Sequence, residues 1–373
     1  MKKLLAILAA AMFIGTGCTD QAQTPVTPAP SAPAPTASAT PSAAPTETPD
    51  AEKHARIEPG EKKEVKLGEA SLTSEWLRTE TPIKNDSYSK LAGIVSPEKN
   101  IIVLAEKNML TAYRIGKGGL RIEKSYFNNG ILELPQSISY ISCDRNGTMY
   151  ISGGVFRIAT VGKKGIIKED KDAKGYFFPS PDGKWGASCF VGADSLVFKD
   201  LTGDTFPSEV WFFSNMNEDD TKRKGKYCTI DFIDIRDNEF VISGGVPQYV
   251  DVNGKKEKRS SKYTTCYSLD GKEKYTFEHS EKSFDPSRIG WVHGSFESKY
   301  GNVIVDSNLR KLKLFDKTGK FIDNAELKDL LGVEMWPKAA YRIDDSTVVL
   351  TGIANSTNDY KYKETMIFLI KGI

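Results

Sequence analysis

Between Gly301 and Ile322 the chain reads GNVIVDSNLRKLKLFDKTGKFI, in which Val303 and Val305 alternate with Ile304, and Leu312 and Leu314 with Lys311 and Lys313. Asp316-Lys317-Thr318-Gly319 then turns the chain into Lys320-Phe321-Ile322. A two-residue period broken by Asp/Gly turns predicts three short strands joined by two tight turns. The same order recurs at NGTMYISGGVFRIATVGKKGIIK, from Asn146 to Lys168. One such sheet cannot bury both of its faces, so repetition predicts stacked neighbours.

Aligning the residue before each second strand gives Asn100, Gly147, Gly183, Asn238, Gly301 and Ser346. The intervals of 47, 36, 55, 63 and 45 residues between these positions are irregular, but they centre on the length of a four-stranded propeller blade. Turns between third and fourth strands are expected at Gly116 to Gly119, Gly162 to Gly165, Leu201 to Asp204, Asp270 to Lys272, and Asp316 to Gly319. The sixth unit ends after three strands, at 338–343, 347–352 and 364–370. The alternating segment Lys63 to Leu72, KEVKLGEASL, is the candidate for its fourth. Pairing it there closes the ring and leaves no open edge. The expected fold is therefore all-β: a six-bladed β-propeller of four-stranded blades over residues 59–373, closed by an N-terminal strand.

Two of the repeats resemble the NHL type. Pro135, Gly147, Tyr150 and Arg157 fit that pattern in one, and Gly301, Leu312, Leu314, Phe315, Asp316 and Gly319 fit it in the other, with Lys311 where Arg is usual. The remaining four agree only in strand pattern and turns. The resemblance implies a fold and no particular activity, because such repeats serve both binding proteins and enzymes.

Before residue 59 the pattern disappears. Lys2 and Lys3 precede an uncharged, mostly apolar run from Leu4 to Ile14, long enough for a signal-peptide core and short of the roughly 20 residues of a membrane span. Gly15-Thr16-Gly17-Cys18 resembles the lipobox of bacterial lipoproteins, with Gly15 where that motif usually has a large aliphatic residue. This resemblance implies a signal peptide over residues 1–17 and a lipidated Cys18 that anchors the chain in the cell membrane or outer membrane. Ordinary cleavage and release is the alternative. One acyl chain binds membranes only marginally, so a stable anchor needs the multiple acylation that the resemblance implies. Residues 18–58 are rich in Pro, Ala, Thr and Ser and hold almost no large apolar side chain, which predicts a disordered tether.

Composition narrows the function further. Lys and Arg number 51 against 49 Asp and Glu, a balance that does not suggest nucleic-acid binding. No HExxH, GxSxG or P-loop pattern occurs, and His54, His279 and His293 are the only histidines. Cys143, Cys189, Cys228 and Cys266 lack Cys-x-x-Cys spacing, so a structural zinc site is not expected; an exported chain can form disulfides, for which four cysteines permit three pairings, and buried free thiols are read ahead of these. Loops between successive blades gather around one mouth of a propeller's channel, and these loops hold Trp211, Asn215, Trp291, His293 and Trp336. Each aromatic there can line a binding surface or fill a gap between blades. The basic run NGKKEKRSSK, Asn253 to Lys262, can meet an anionic lipid or wall polymer, or can be a solvated hairpin tip.

Together these features point to an exported, lipid-anchored, non-catalytic propeller that binds an envelope protein or glycan and needs no cofactor. The rival reading is a metal-dependent hydrolase of the gluconolactonase-like class. Its divalent ion would be held by Glu, Asn and Asp side chains that come singly from separate blades. The sequence sets no oligomeric state.

Overall fold

Each of the six aligned repeats becomes the second strand of its own antiparallel sheet in the computed structural model. It describes residues 56–84, 89–90, 100–153, 156–171, 175–189, 195–202, 208–212, 229–269, 271–277, 291–356 and 362–373. All of these belong to the unit His54–Ile373, and the unit Met1–Lys53, with Cys18 and nearly all of the Pro-rich segment, lies outside them.

In chain order the second strands are Ile101–Glu106, Met149–Gly153, Trp185–Cys189, Glu239–Val252, Gly301–Asp306 and Thr347–Asn355, in blades 1 to 6. Blades 2 to 5 each take four consecutive strands. In blade 5 these are Val292–Ser298, Gly301–Asp306, Lys311–Phe315 and Phe321–Glu326, so the repeat that opened the sequence reading is a whole blade short of its first strand. Helix is confined among the described residues to Leu327–Leu331 and a single turn at Asn128–Gly130, and no helix there is long and apolar enough to cross a membrane.

Alternation along each strand gives every sheet two apolar faces, and each face packs on the next blade. Six buried clusters fill the six junctions. Ile101, Val103 and Leu110 meet Ile141 and Met149 between blades 1 and 2. Tyr150 and Ile158 meet Phe177 between blades 2 and 3. Leu196 meets Ile233 and Phe240 between blades 3 and 4. Val241 and Phe277 meet Ile304 and Phe315 between blades 4 and 5. Val303, Val305 and Leu312 meet Leu350 and Phe368 between blades 5 and 6. Val349 and Ile367 meet Ile102 and Leu104 between blades 6 and 1. Burying one such side chain contributes about 1.5–3 kcal/mol, so the ring is held chiefly by contacts between blades.

Blade 6 is completed from the N-terminal side, but not in the register that alternation suggests. Lys63 to Leu72 is not one strand. It bends at Gly68, whose left-handed φ of 58° is costly for any residue with a Cβ. The result is a hairpin of Val65–Leu67 and Ala70–Trp76. The closing pairs lie further on, from Thr73↔Lys371 to Trp76↔Phe368. Leu67 and Leu72 still bury their side chains, in the cluster between blades 5 and 6.

The folded region also begins slightly earlier than residue 59. Arg56 lies 3.2 Å from a Glu364 carboxylate oxygen and donates to the Thr79 carbonyl at 2.7 Å, while the Ile57 amide donates to Glu364 at 3.1 Å. Glu364 is almost fully buried on blade 6. Its carboxyl is pushed above the usual range by burial, and the Ile57 amide and Arg56 oppose that shift.

Candidate functional site

Antiparallel order sends the second-to-third turn of each blade to the rim that also receives the connection from one blade to the next. On blade 5 that turn is 307–310, between Gly301–Asp306 and Lys311–Phe315. Its base is an ion pair without solvent exposure: the Lys313 ammonium lies 3.4 Å from Asp306. The other Asp306 oxygen accepts the Leu309 amide at 3.1 Å. Ser307 donates its amide to the Trp291 carbonyl at 2.8 Å, which ties the turn to the start of its own blade.

The turn then reaches the next blade. Arg310, with φ of 55°, places its guanidinium 4.4 Å from the centre of the Trp336 ring and pairs with Glu334. The Arg310 carbonyl accepts the amide of Leu327, the first residue of the short helix, at 3.0 Å. A cation over an exposed indole contributes about 0.5–1 kcal/mol, and here it also orients the ring. Trp291, Leu309 and Trp336 remain 52%, 36% and 36% exposed on this rim. Large apolar groups held in water by a buried ion pair and a guanidinium make a surface suited to association rather than to packing.

His293 belongs to the same edge but plays a different part. It lies inside the strand Val292–Ser298, is half-buried, and hydrogen-bonds the Lys338 backbone. Burial first, and then the Lys338 charge, hold its imidazole below the ordinary value. His293 therefore stays neutral at pH 7 and is better placed to fix the inner strands of blades 5 and 6 than to carry charge to a ligand.

Of the five residues expected at the mouth, the structure brings together Trp291, His293 and Trp336. Trp211 is at the end of the fourth strand of blade 3, Ser208–Phe212, and its side chain, like Asn215, lies outside the described residues. Sequence reading missed Leu309 and Arg310. The signal available was four turn residues, Ser307-Asn308-Leu309-Arg310, that include one large apolar and one cationic side chain.

Other aromatics belong to strands or junctions. Phe177 is buried in the first strand of blade 3, Tyr176–Pro179, and Phe127 is buried between blades 1 and 2. Tyr140 and Tyr176 pack with ring centres 4.7 Å apart. Burial, with Tyr341, Cys189 and Tyr176 nearby, pushes the Tyr140 phenol well above its ordinary value. The inner strands of blades 2 and 3 are thus aromatic at this point.

Among the described residues, no three His, Cys, Asp or Glu side chains are placed to share a metal ion. Cys143, Cys189 and Cys266 are free thiols. Burial pushes Cys189 and Cys266 up to about 12 and Cys143 well above the ordinary value. They are protonated at neutral pH, which disfavours the thiolate that a cysteine nucleophile needs. Cys228 and His279 lie outside the described residues.

The opposite rim, formed by the turns between first and second strands, is polar and internally paired. Arg145 donates its amide to the Pro181 carbonyl at 2.9 Å and its guanidinium to Asp237 at 3.3 Å, joining turns of blades 2, 3 and 4. Arg236, 9% exposed, continues the chain into blade 5. It donates to Asp234 at 3.0 Å, Glu239 at 2.8 Å, Asn302 at 2.9 Å and Ser295 at 3.0 Å. Lys274 also pairs with Glu239. Burial raises Asp234 to about 6 despite the opposing effect of Arg236.

No protein-family model matches this chain, and no curated protein matches it. Among solved structures the chain is similar to the β-propeller domain of Cps50 (Swd1) from Myceliophteria thermophila. The TM-score is 0.47 at 9% identity, over 80% of this chain and 99% of that one. It is also similar to the hydrazine synthase of Kuenenia stuttgartiensis, with TM-score 0.46 and 9% identity over 73% and 95% of the two chains. A third likeness is to Kluyvelomyces marxianus Hsv2, with TM-score 0.41 and 11% identity over 74% and 97%. Scores and identities this low bring no function with them, and the six-bladed propeller stands on the strand pairing itself.

Proposed function

We propose that this chain is exported, carries lipid on Cys18, and acts at the cell envelope as a non-catalytic binding protein whose contact surface is the rim of blades 5 and 6. The observation that carries the reading is the exposed set Trp291, Leu309 and Trp336, fixed by the Asp306–Lys313 pair and by Arg310 stacked on Trp336. Trp and Arg are the residue types over-represented among side chains that dominate protein interfaces. A protein partner therefore fits this surface better than a glycan, which needs no guanidinium. The apolar run before Cys18 and the Pro-rich segment after it support delivery to a membrane and a reach away from it.

Two experiments test the two halves separately. Cys18→Ser should move the protein from a membrane fraction that only detergent releases to one that is soluble after a high-salt wash, and unchanged detergent-dependent fractionation would remove the anchor from the proposal. Trp291→Ala combined with Trp336→Ala should abolish cross-linking to envelope proteins while leaving the melting temperature nearly unchanged. Retained cross-linking in a folded double variant rules this rim out as the contact surface.

A further inference from the structure

Blade 4 departs from its siblings in one respect: its second and third strands, Glu239–Val252 and Lys255–Ser268, run 14 residues each. Pairing with the first strand stops at Thr229↔Gly245, and pairing with the fourth stops at Thr265↔Thr276. Seven further pairs, from Val246↔Ser261 to Val252↔Lys255, continue as a ribbon of two strands, and among the described residues no other strand joins the sheet. At about 3.4 Å per residue the ribbon projects roughly 24 Å from the blade. It ends at Asn253 and Gly254, both left-handed and exposed, as the tightest hairpin turns require. Being a second-to-third connection, it leaves from the rim that holds Trp291, Arg310 and Trp336.

A solvated hairpin tip needs no such length, and a lone two-stranded ribbon is marginal in water. Its composition is also particular. Lys255, Lys256, Lys258, Arg259 and Lys262 face only Asp251 and Glu257 as counter-charges between residues 246 and 262. The whole chain has 51 Lys and Arg against 49 Asp and Glu, so this one ribbon holds more than the entire net positive charge. Pro247 on one edge and the cations on the other are the residues that block addition of a further strand, which argues against a β-strand partner. The register pairs Val252 with Lys255, Val250 with Glu257 and Tyr249 with Lys258, so each face of the ribbon carries apolar and charged positions together. A soluble polyanion needs charge alone, whereas a bilayer surface takes charge at its headgroups and Tyr and Val just beneath them.

We propose that the blade 4 ribbon is a membrane-contact arm that docks on anionic phospholipid headgroups. Its cations lie against the headgroup layer and its apolar residues enter the interface. Each cation near an anionic leaflet strengthens attachment severalfold, and clusters of four or more are characteristic of such contacts. This arm is independent of lipid on Cys18. It would set the orientation of the ring on the bilayer, with the aromatic rim turned toward the surface.

The test uses the full chain with Cys18→Ser, so that no acyl chain contributes, and sedimentation with vesicles of phosphatidylcholine alone or with phosphatidylglycerol added. The expected result is binding to the anionic vesicles that weakens with salt. Binding should fall by at least about a hundredfold when Lys255, Lys256, Lys258 and Arg259 are all changed to Gln, with the melting temperature unaltered. Changing the three lysines to Arg should preserve it. Equal binding to both vesicle types, or an undiminished affinity in the Gln variant, overturns the proposal. So does capture of soluble polyglutamate or heparin without binding to phosphatidylglycerol vesicles, which would make the partner a polymer. The Cys18→Ser background keeps failure of the anchor and failure of the arm distinguishable.

Discussion

The two rims of the ring use similar residue types to opposite ends. On one, Arg236 is sunk among Asp234, Glu239, Asn302 and Ser295, and every nitrogen of its guanidinium has a partner within the protein. On the other, Arg310 lies over Trp336 and leaves the indole and its neighbours in water. A buried arginine with four partners is a fastener between blades 4 and 5, whereas one that props up an exposed ring maintains a surface. Polar satisfaction, more than residue type, separates the structural rim from the one proposed as a contact surface.

The largest effect that would break this contrast is on stability. Arg236→Met should leave Asp234 without its guanidinium partner and Glu239 with Lys274 alone, and cost about 3–5 kcal/mol, read as a fall in melting temperature, with rim cross-linking through Trp291 retained while the protein is folded. A neutral outcome would mean the network is not a fastener. A gentler probe is pH. Asp234 is raised above its unfolded value, so its protonated form is favoured by folding. The associated stability is fully present below the unfolded value near 3.9 and is lost as pH rises through about 6. Melting curves of the wild type should therefore lose roughly 1–3 kcal/mol relative to Asp234→Asn over that interval and stay parallel above it. Parallel curves throughout would show that Arg236 already cancels the cost of burial.

On the aromatic rim the signs reverse. Trp291→Ala should weaken partner binding by about 1–2 kcal/mol or more and change stability by under about 1 kcal/mol, given its exposure. Unfolding of that variant without a binding defect would make both rims structural. Arg310→Ala should cost about 0.5–1 kcal/mol of binding through loss of the stacked Trp336 geometry, a difference visible in a titration but not in a melt. The smallest effect belongs to His293. Its lowered value means that it is favoured neutral in the fold, so its contribution is present above about 6.5 and fades as pH falls below that. His293→Gln should flatten this part of the stability profile, and an unchanged slope would remove the imidazole as its source.

The fold was legible because its grammar is local. Alternation at Ile101–Glu106 or Thr347–Asn355 and a turn such as Asp316 to Gly319 each need only a few adjacent residues, and repetition did the rest. Closure was half legible: the segment was recognised, but alternation across Lys63 to Leu72 conceals the left-handed Gly68 that moves the pairing residues to Thr73–Trp76. Trp291 and Trp336 were visible as aromatics beside turns. Arg310 was not, because its partners Trp336 and Glu334 come from the next blade and no spacing rule links them. The Arg236 network was hidden for the same reason, since Asn302 and Ser295 are supplied one at a time by another sheet. The resemblance to NHL-type repeats is neither strengthened nor weakened, because the pairing shows four-stranded blades without choosing among repeat families.

Ring closure has a consequence in time. Among the described strands Ala70–Trp76 is one of the first to be synthesised, and its partner Lys363–Lys371 is the last of them. Until Lys363–Lys371 has been made, blade 6 lacks a side and the junctions on either side of it have nothing to close against. Joining segments nearly 300 residues apart carries the largest loop-closure cost of any strand pairing among the described residues, and high contact order slows folding. A ring whose clasp joins such distant segments completes its fold only after every intervening blade has been made.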